Sequence, residues 1–184
     1  MKNFIVTLVV IILSSLNLSA QVEIYGRYTI GGTVEPDINV FGTKKISEKF
    51  NLTYFALIEE KWSEALIGVS YSPTKWLELG LSTGVEHNPA IIRFGGSIWV
   101  GKGKTSLLML GEKGYGKDNY WYKINLSRNL SEIFSVGAMA WRFHGLGPIV
   151  KYTPQKSDLT FWILPTYDPE FKAKRLIIGL AVKI

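Results

Sequence analysis

Cysteine is absent from this sequence of 184 residues, and histidine occurs only twice. Without cysteine the chain forms no disulfide, holds no Fe–S cluster or cysteine-ligated zinc, and carries no lipid-modified N-terminal cysteine. His87 and His144 lie far apart in the sequence, and neither stands near a cluster of metal-ligating residues. We therefore expect no cofactor and no metal site.

Long apolar runs are missing after residue 20. At the start, Lys2 precedes a nearly all-apolar run over residues 4–13, and the segment ends on small residues. This pattern is typical of a secretory signal peptide, and we predict cleavage before Gln21. A membrane anchor is the alternative, but about ten apolar residues are half of the ~20 that a spanning helix needs. The chain then divides into a signal peptide, residues 1–20, and one domain, residues 21–184.

Concentrated charge of one sign is also missing. The 21 basic and 15 acidic residues give a formal net charge of +6, but the basic residues are dispersed. Nucleic acids are bound through basic patches, and an exported protein rarely meets them. We expect no nucleic-acid partner.

What the chain does contain is apolar and polar residues in alternation. In the stretch over residues 70–85, Leu77, Leu79 and Leu81 alternate with Glu78 and small residues. Side chains of an extended strand point to opposite faces with period two, so the leucines share one face. Pro73 lacks a backbone donor and marks the turn before this strand. The stretch predicts a β-hairpin with an apolar outer face and a polar or small inner face, as in membrane-spanning barrels.

The same alternation recurs along the whole chain, and no helical period competes with it. Twelve segments qualify as strands, and short breaks rich in Gly, Pro, Ser or Lys separate them. Twelve tilted strands of about ten residues fit a domain of this length with short turns, and ten longer strands are the alternative. The predicted fold is all-β, a single antiparallel transmembrane β-barrel. The strands are expected at 23–30, 37–44, 51–59, 64–71, 76–85, 91–100, 105–112, 119–127, 134–142, 147–152, 159–166 and 174–184.

The connections fall into two alternating sets, which supports an even strand count. A compact, mostly lysine-bearing set is predicted to face the periplasm, and the other set is predicted to face the exterior. The first set comprises residues 44–49, 72–75, 101–104, 128–132 and 153–158, and the second includes residues 31–36, 86–90, 113–118, 143–145 and 165–171.

The final segment carries the alternation to the end of the sequence, with Leu176, Ile178, Leu180 and Val182 on one face and Ile184 as the last residue. In this pattern the chain resembles small bacterial outer-membrane β-barrel proteins of the porin-like superfamily. Members usually end in Phe or Trp, so Ile184 departs from the pattern. The resemblance implies an outer-membrane location, with membrane lipid and the barrel-assembly machinery as partners.

If the apolar faces contact lipid, the other faces line the lumen. Charges of both signs occur there, together with many Gly and Ser residues that leave space. We predict a narrow passive pore for small hydrophilic solutes or ions, with weak anion preference if the basic residues line the constriction. The predicted pore-lining residues are Glu23, Arg27, Glu64, Glu78, Arg93, Lys123 and Arg175.

Two alternatives remain open at this point. Inward charges could pair and close the lumen, leaving a barrel with a structural or partner-docking role. A rim-located hydrolase of envelope lipid or peptide would use His87 or His144, with Asp118 or Asp168 as the orienting carboxylate. No motif fixes a nucleophile and base, so we identify no catalytic residue and expect no enzyme.

Mass spectrometry of protein purified from bacterial membranes tests the signal peptide. We expect the N-terminus of the mature chain to be Gln21. Replacing the small residue at the cleavage site, Ala20→Tyr, should block processing, because these sites require small side chains. An unprocessed wild-type chain would contradict the prediction.

Overall fold

The computed structural model describes residues 19–87 and 92–184. These residues form twelve β-strands joined in a closed barrel, in which every strand pairs antiparallel with its sequence neighbours and β1 pairs with β12. The predicted fold and the count of twelve strands are confirmed. The strands are β1 Ser19–Thr29, β2 Val34–Lys45, β3 Phe50–Ile58, β4 Ser63–Thr74, β5 Leu77–Glu86, β6 Ile92–Lys102, β7 Thr105–Gly114, β8 Tyr120–Asn129, β9 Phe134–Trp141, β10 Gly145–Tyr152, β11 Leu159–Asp168 and β12 Ala173–Lys183.

Across the part of the chain that the structure covers, no helix has the length and apolar character needed to cross a membrane.

Apolar side chains cover the outer face, as the alternation predicts. On β5, Leu81 is 78% exposed, whereas the neighbouring Ser70 on the inner face of β4 is 1% exposed. On β12, Ile178 is 56% exposed while Ile177, one residue earlier, is fully buried in the lumen. The difference between two adjacent isoleucines shows the period of two directly.

The turns lie on two rims. The rim that carries both ends of the barrel, here called the terminal rim, holds the turns 46–49, 75–76, 103–104, 130–133 and 153–158. The opposite, distal rim holds the connections 30–33, 59–62, 115–119, 142–144 and 169–172. The two predicted sets therefore lie on separate rims. The predicted connection at 86–90 falls partly outside the described residues, and residues 59–62 belong to neither predicted set.

Four prolines lie inside strands, including Pro36 in β2 and Pro73 in β4, which were predicted to lie in connections. Pro148 lies in β10, and Pro165, assigned to the start of a connection, lies in β11. The register pairs Leu146 with Tyr167 and Val150 with Ile163, so the two prolines stand opposite each other. Neither proline has an N–H to donate, and the ladder is interrupted between these pairs. β11 continues past the proline to Asp168.

The lumen is not uniformly polar. A buried cluster, here called the aromatic core, fills the side of the lumen formed by β1 and β9–β12. Its inward aliphatic residues were not predicted, because the alternation assigned apolar side chains to the lipid face. The aromatic core consists of Tyr25, Met139, Trp141, Ile149, Trp162, Leu164 and Ile177.

β1 begins at Ser19, two residues before the predicted cleavage site, and these residues pair with β2. Ala20 also exchanges backbone hydrogen bonds with Ile184, at 3.0 and 2.9 Å. Processing before Gln21 stays a prediction, and it would remove Ser19 and Ala20 from β1.

Glycine spacing inside the barrel can be tested by adding single methyl groups. A Cβ at Gly147 would lie 1.8 Å from the carbonyl oxygen of Pro165, whereas a Cβ at Gly111 meets nothing within 4 Å. We expect Gly147→Ala to lower the free energy of unfolding by about 1–3 kcal/mol, the usual cost of overpacking. Gly111→Ala is the matched control and should stay within about 0.5 kcal/mol. Equal urea midpoints for the two variants would show that β10 and β11 move apart to accommodate the methyl group without loss of stability.

Candidate functional site

The structure places all seven predicted pore-lining residues on the inner face, in three groups. Glu23 and Lys123 face each other in the middle of the lumen, 3.9 Å apart, and Glu78 accepts a hydrogen bond from Ser72 near the terminal rim at 3.1 Å. The other four lie toward the distal rim on two walls. Whether they line an open pore stays a prediction.

One distal group is centred on Arg93, the second residue of β6. Its Nε lies 2.7 Å from Glu112 and 3.0 Å from Glu64, and its Nη1 lies 2.7 Å from Glu86. Asn119 accepts from Nη1 at 2.9 Å and donates to Glu86 at 2.6 Å. Guanidinium has five donors in a fixed plane, so a single arginine can hold several carboxylates at once.

The charges of the Arg93 group do not balance. One guanidinium faces three carboxylates whose side chains are at most 10% exposed. Trp62 donates its indole N–H to Glu64 at 2.9 Å and lies 5.6 Å from the Arg93 guanidinium. Buried carboxylates in excess of their partners create a negative potential that attracts cations.

On the opposite wall, the turn 142–144 between β9 and β10 folds into the barrel. Phe143 adopts a left-handed backbone conformation, with φ 68°. Its carbonyl oxygen accepts hydrogen bonds from Arg27 at 2.9 Å and Arg175 at 2.7 Å. Those two arginines also bind Glu35, at 2.6 Å, and Asp168. The turn is thereby tied to β1, β2, β11 and β12.

A third arginine holds the same turn from its other side. Arg142 donates to the backbone carbonyls of Asp118, at 2.8 Å, and Tyr120, and pairs with Glu170 at 3.2 Å. Its guanidinium stacks 3.6 Å from the ring of Tyr120. Three guanidiniums therefore link the turn 142–144 to the surrounding strands and connections.

His144 is buried, contrary to the expectation that it is a solvated residue of an exterior connection. Only 2% of it is exposed, and its ring stacks on Trp141 with centroids 3.6 Å apart. Burial, reinforced by the positive charge of Arg27, lowers the pKa of His144 well below its usual value. The imidazole is therefore neutral at pH 7.

The two aspartates predicted to orient a histidine have arginine partners. Asp168 binds Arg175, and Asp118 offers its backbone carbonyl to Arg142. Instead, Asp37 and Glu59 approach the histidine, with one ligand atom of each residue within 4.8 Å of the others. The expectation that neither histidine has clustered carboxylate partners is wrong for His144. His87 is exposed on the distal rim.

Together these groups form a band across the lumen, here called the distal charge layer. Eight carboxylates and four guanidiniums give it a formal charge of −4. Each basic residue expected to favour anions, Lys123 included, has a carboxylate partner within 4 Å. The weak anion preference expected if the basic residues line the constriction stays a prediction, and the formal charge of the layer is negative. Its members are Arg27, Glu35, Asp37, Glu59, Glu64, Glu86, Arg93, Glu112, Arg142, Asp168, Glu170 and Arg175.

A cavity of about 430 Å³ extends from Glu78 and Trp99 near the terminal rim to Glu59 and Glu112 of the distal charge layer. Most of its wall is apolar, with aromatic and leucine side chains between the charges. Four buried polar atoms on its wall have no hydrogen-bond partner among the described residues. They are Asn39 Oδ1, Asn125 Oδ1, Trp141 Nε1 and Trp162 Nε1. Such atoms need water or a polar solute as a partner.

Comparison with known proteins bears on the fold. No protein-family model matches the sequence, and no curated protein matches it. Among solved structures, the KdgM porin superposes with a TM-score of 0.59 at 8% identity, over 89% of this chain and 99% of that one. The NanC porin gives a TM-score of 0.55 at 7% identity, over 89% and 100%. KdgM in complex with disordered oligogalacturonate gives 0.58 at 7% identity, over 89% and 99%. The chain therefore has a porin-like barrel fold.

Removing the central guanidinium tests the Arg93 group. We expect Arg93→Met to lower the free energy of unfolding by about 3–5 kcal/mol, because three buried carboxylates would lose their cation. Arg128→Met, at an exposed position near the terminal rim, is the control and should change it by less than about 0.5 kcal/mol. Urea unfolding of both variants in detergent measures the difference. Similar stabilities would mean that the group is hydrated and not held by Arg93.

Proposed function

We propose that the protein is an outer-membrane β-barrel whose lumen forms a narrow passive pore for small hydrophilic solutes or ions. The observation that carries the proposal is the cavity of about 430 Å³ that leads from the terminal rim to the distal charge layer. Inside a closed barrel, such a space has walls on all sides and can open only at the rims.

The outer surface supports the membrane location. Closed barrels can cross a bilayer because each backbone N–H and C=O is paired between strands, and this barrel has no free strand edge among its twelve strands. Large apolar side chains are exposed around the outside, including Ile67, Phe94 and Ile178. In water such a belt would promote association, whereas in lipid it is the expected surface. Membrane lipid and the barrel-assembly machinery are the proposed partners.

The distal charge layer is the proposed constriction. At this level Asp37, Glu86 and Arg93 are each at most 5% exposed, so side chains occupy the cross-section and leave only a narrow path. A solute would pass through a layer in which carboxylates outnumber guanidiniums. The negative field lowers the free energy of a cation and raises that of an anion, because electrostatic interactions are strong where water is scarce.

A closed barrel with a structural or partner-docking role is the second candidate. The aromatic core and the turn 142–144 favour it, because both fill the lumen. In this alternative the ion pairs would serve as a plug. The low exposure of the distal charge layer is compatible with either function, and only conduction separates the two.

Single-channel recording in a planar bilayer under a salt gradient tests the pore. We expect discrete conductance steps and a reversal potential showing cation preference. The double variant Glu86→Gln, Glu112→Gln should lower the cation-to-anion permeability ratio by at least about fivefold, since each unit charge about 4 Å from an ion is worth about 1 kcal/mol in water. Glu132→Gln, on the exposed terminal rim, is the matched control and should behave as wild type.

Silence from verified folded barrel would reject the pore and favour the closed barrel. Anion preference in the wild-type protein would keep the pore but remove the distal charge layer as its selectivity element.

A further inference from the structure

Asp37, Glu59 and His144 converge just inside the distal rim from three parts of the chain. Asp37 lies on the inner face of β2, opposite Tyr25 of β1. The β2–β3 register pairs Ile38 with Ile58, and its continuation by one residue sets Asp37 against Glu59. His144 reaches the pair from the turn 142–144. One ligand atom of each of the three residues lies within 4.8 Å of the others.

Among the residues that the structure describes, neither carboxylate forms a salt bridge. Asp37 is 1% exposed, and its Oδ2 has no hydrogen-bond partner among the described residues. Arg27 of the neighbouring strand β1 has other partners, since its guanidinium is held by Glu35 at 2.6 Å and by the Phe143 carbonyl at 2.9 Å. Two adjacent buried carboxylates repel each other and require a proton or a cation between them.

His144 supplies a neutral nitrogen toward this pair. Its Nδ1 lies 3.2 Å from the backbone carbonyl of Arg142, a contact that requires Nδ1 to be the protonated nitrogen. Nε2 then keeps its lone pair, and its recorded neighbour is the Tyr25 hydroxyl at a loose 3.5 Å. Stacking on Trp141 fixes the ring. An N–H to carbonyl bond on one side and a free lone pair on the other is the usual arrangement of a metal-ligating histidine.

We propose that Asp37, Glu59 and His144 bind a divalent transition-metal ion, with zinc the best match. Zinc takes imidazole and carboxylate ligands in tetrahedral sites, and three protein ligands leave one position for water. Calcium and magnesium prefer all-oxygen sites with six or more ligands, which these three residues do not provide. The ion would replace the missing positive charge between the carboxylates.

The position of the site gives it a structural consequence. A bound ion would join β2 and the β3–β4 connection to the turn 142–144 across the lumen. It would also reduce the excess negative charge of the distal charge layer. This inference goes beyond the proposed pore and does not depend on conduction, because its test measures binding of the metal itself.

Calorimetric titration of Zn²⁺ into the tag-free full chain, purified in detergent and stripped with a chelator, tests the site. We expect saturable binding of one ion per chain. Asp37→Asn, Glu59→Gln and His144→Gln should each weaken binding by at least about tenfold, since even changes in residues behind metal ligands cost 10–100-fold. His87→Ala is the matched control because it removes the other histidine, which is exposed, and it should bind as wild type.

Two further measurements keep the test decisive if one variant folds poorly. Co²⁺ substituted for Zn²⁺ should give the visible absorption of a four-coordinate site in the wild type and in His87→Ala, but not in Asp37→Asn or Glu59→Gln. Zn²⁺ should also raise the melting temperature of wild type, because a ligand that binds only the folded state stabilises it. The proposal is overturned if folded wild type binds no Zn²⁺, or if binding disappears in His87→Ala and survives in the folded ligand variants. Failure of metal binding would leave the conductance result untouched, and silence in the bilayer would leave the metal result untouched.

Discussion

The pairing of β1 with β12 is the constraint on which the rest of the structure depends. Nine register pairs, from Gln21 with Lys183 to Thr29 with Arg175, close the sheet on itself. Closure leaves no unpaired strand edge, so the backbone can lie in lipid without unsatisfied polar groups. It also divides the side chains into two populations, one facing outward and one confined to a lumen of fixed width. Everything proposed about function concerns this second population.

Inside the lumen, charge and packing occupy different regions. The aromatic core fills one side by apolar contact, and the distal charge layer spans the end by ion pairing. The turn 142–144 connects the two, since His144 stacks on Trp141 of the core while the Phe143 carbonyl binds two guanidiniums of the layer. Neither region could form from one strand alone. Buried charges persist at this end because nearly all have partners, and the exceptions, Asp37 and Glu59, are the residues proposed to need an ion.

Several features were predictable from the sequence because they depend only on local pattern. The twelve strands, the separation of turns into two sets and the outward direction of Leu81 or Ile178 all follow from period-two alternation and turn residues. The same alternation predicts that Glu23 and Arg93 point inward. Pro148 and Pro165 lie in segments predicted as strands, but their position opposite each other, where the ladder is interrupted, is visible only in the register.

By itself, therefore, the sequence determined the architecture and the inner face of charges such as Glu23 and Arg93, since both are set by neighbours along the chain. The tertiary structure alone decided which charges meet. Barrel geometry and strand register bring Glu64, Glu86 and Glu112 to one guanidinium, so carboxylates outnumber guanidiniums in this group. The inward turn of Phe143 carries His144 from a supposed exterior loop to Asp37 and Glu59, 107 and 85 residues earlier in the chain. Contacts at such sequence separation depend on register and backbone geometry across the lumen, which a period of two does not encode.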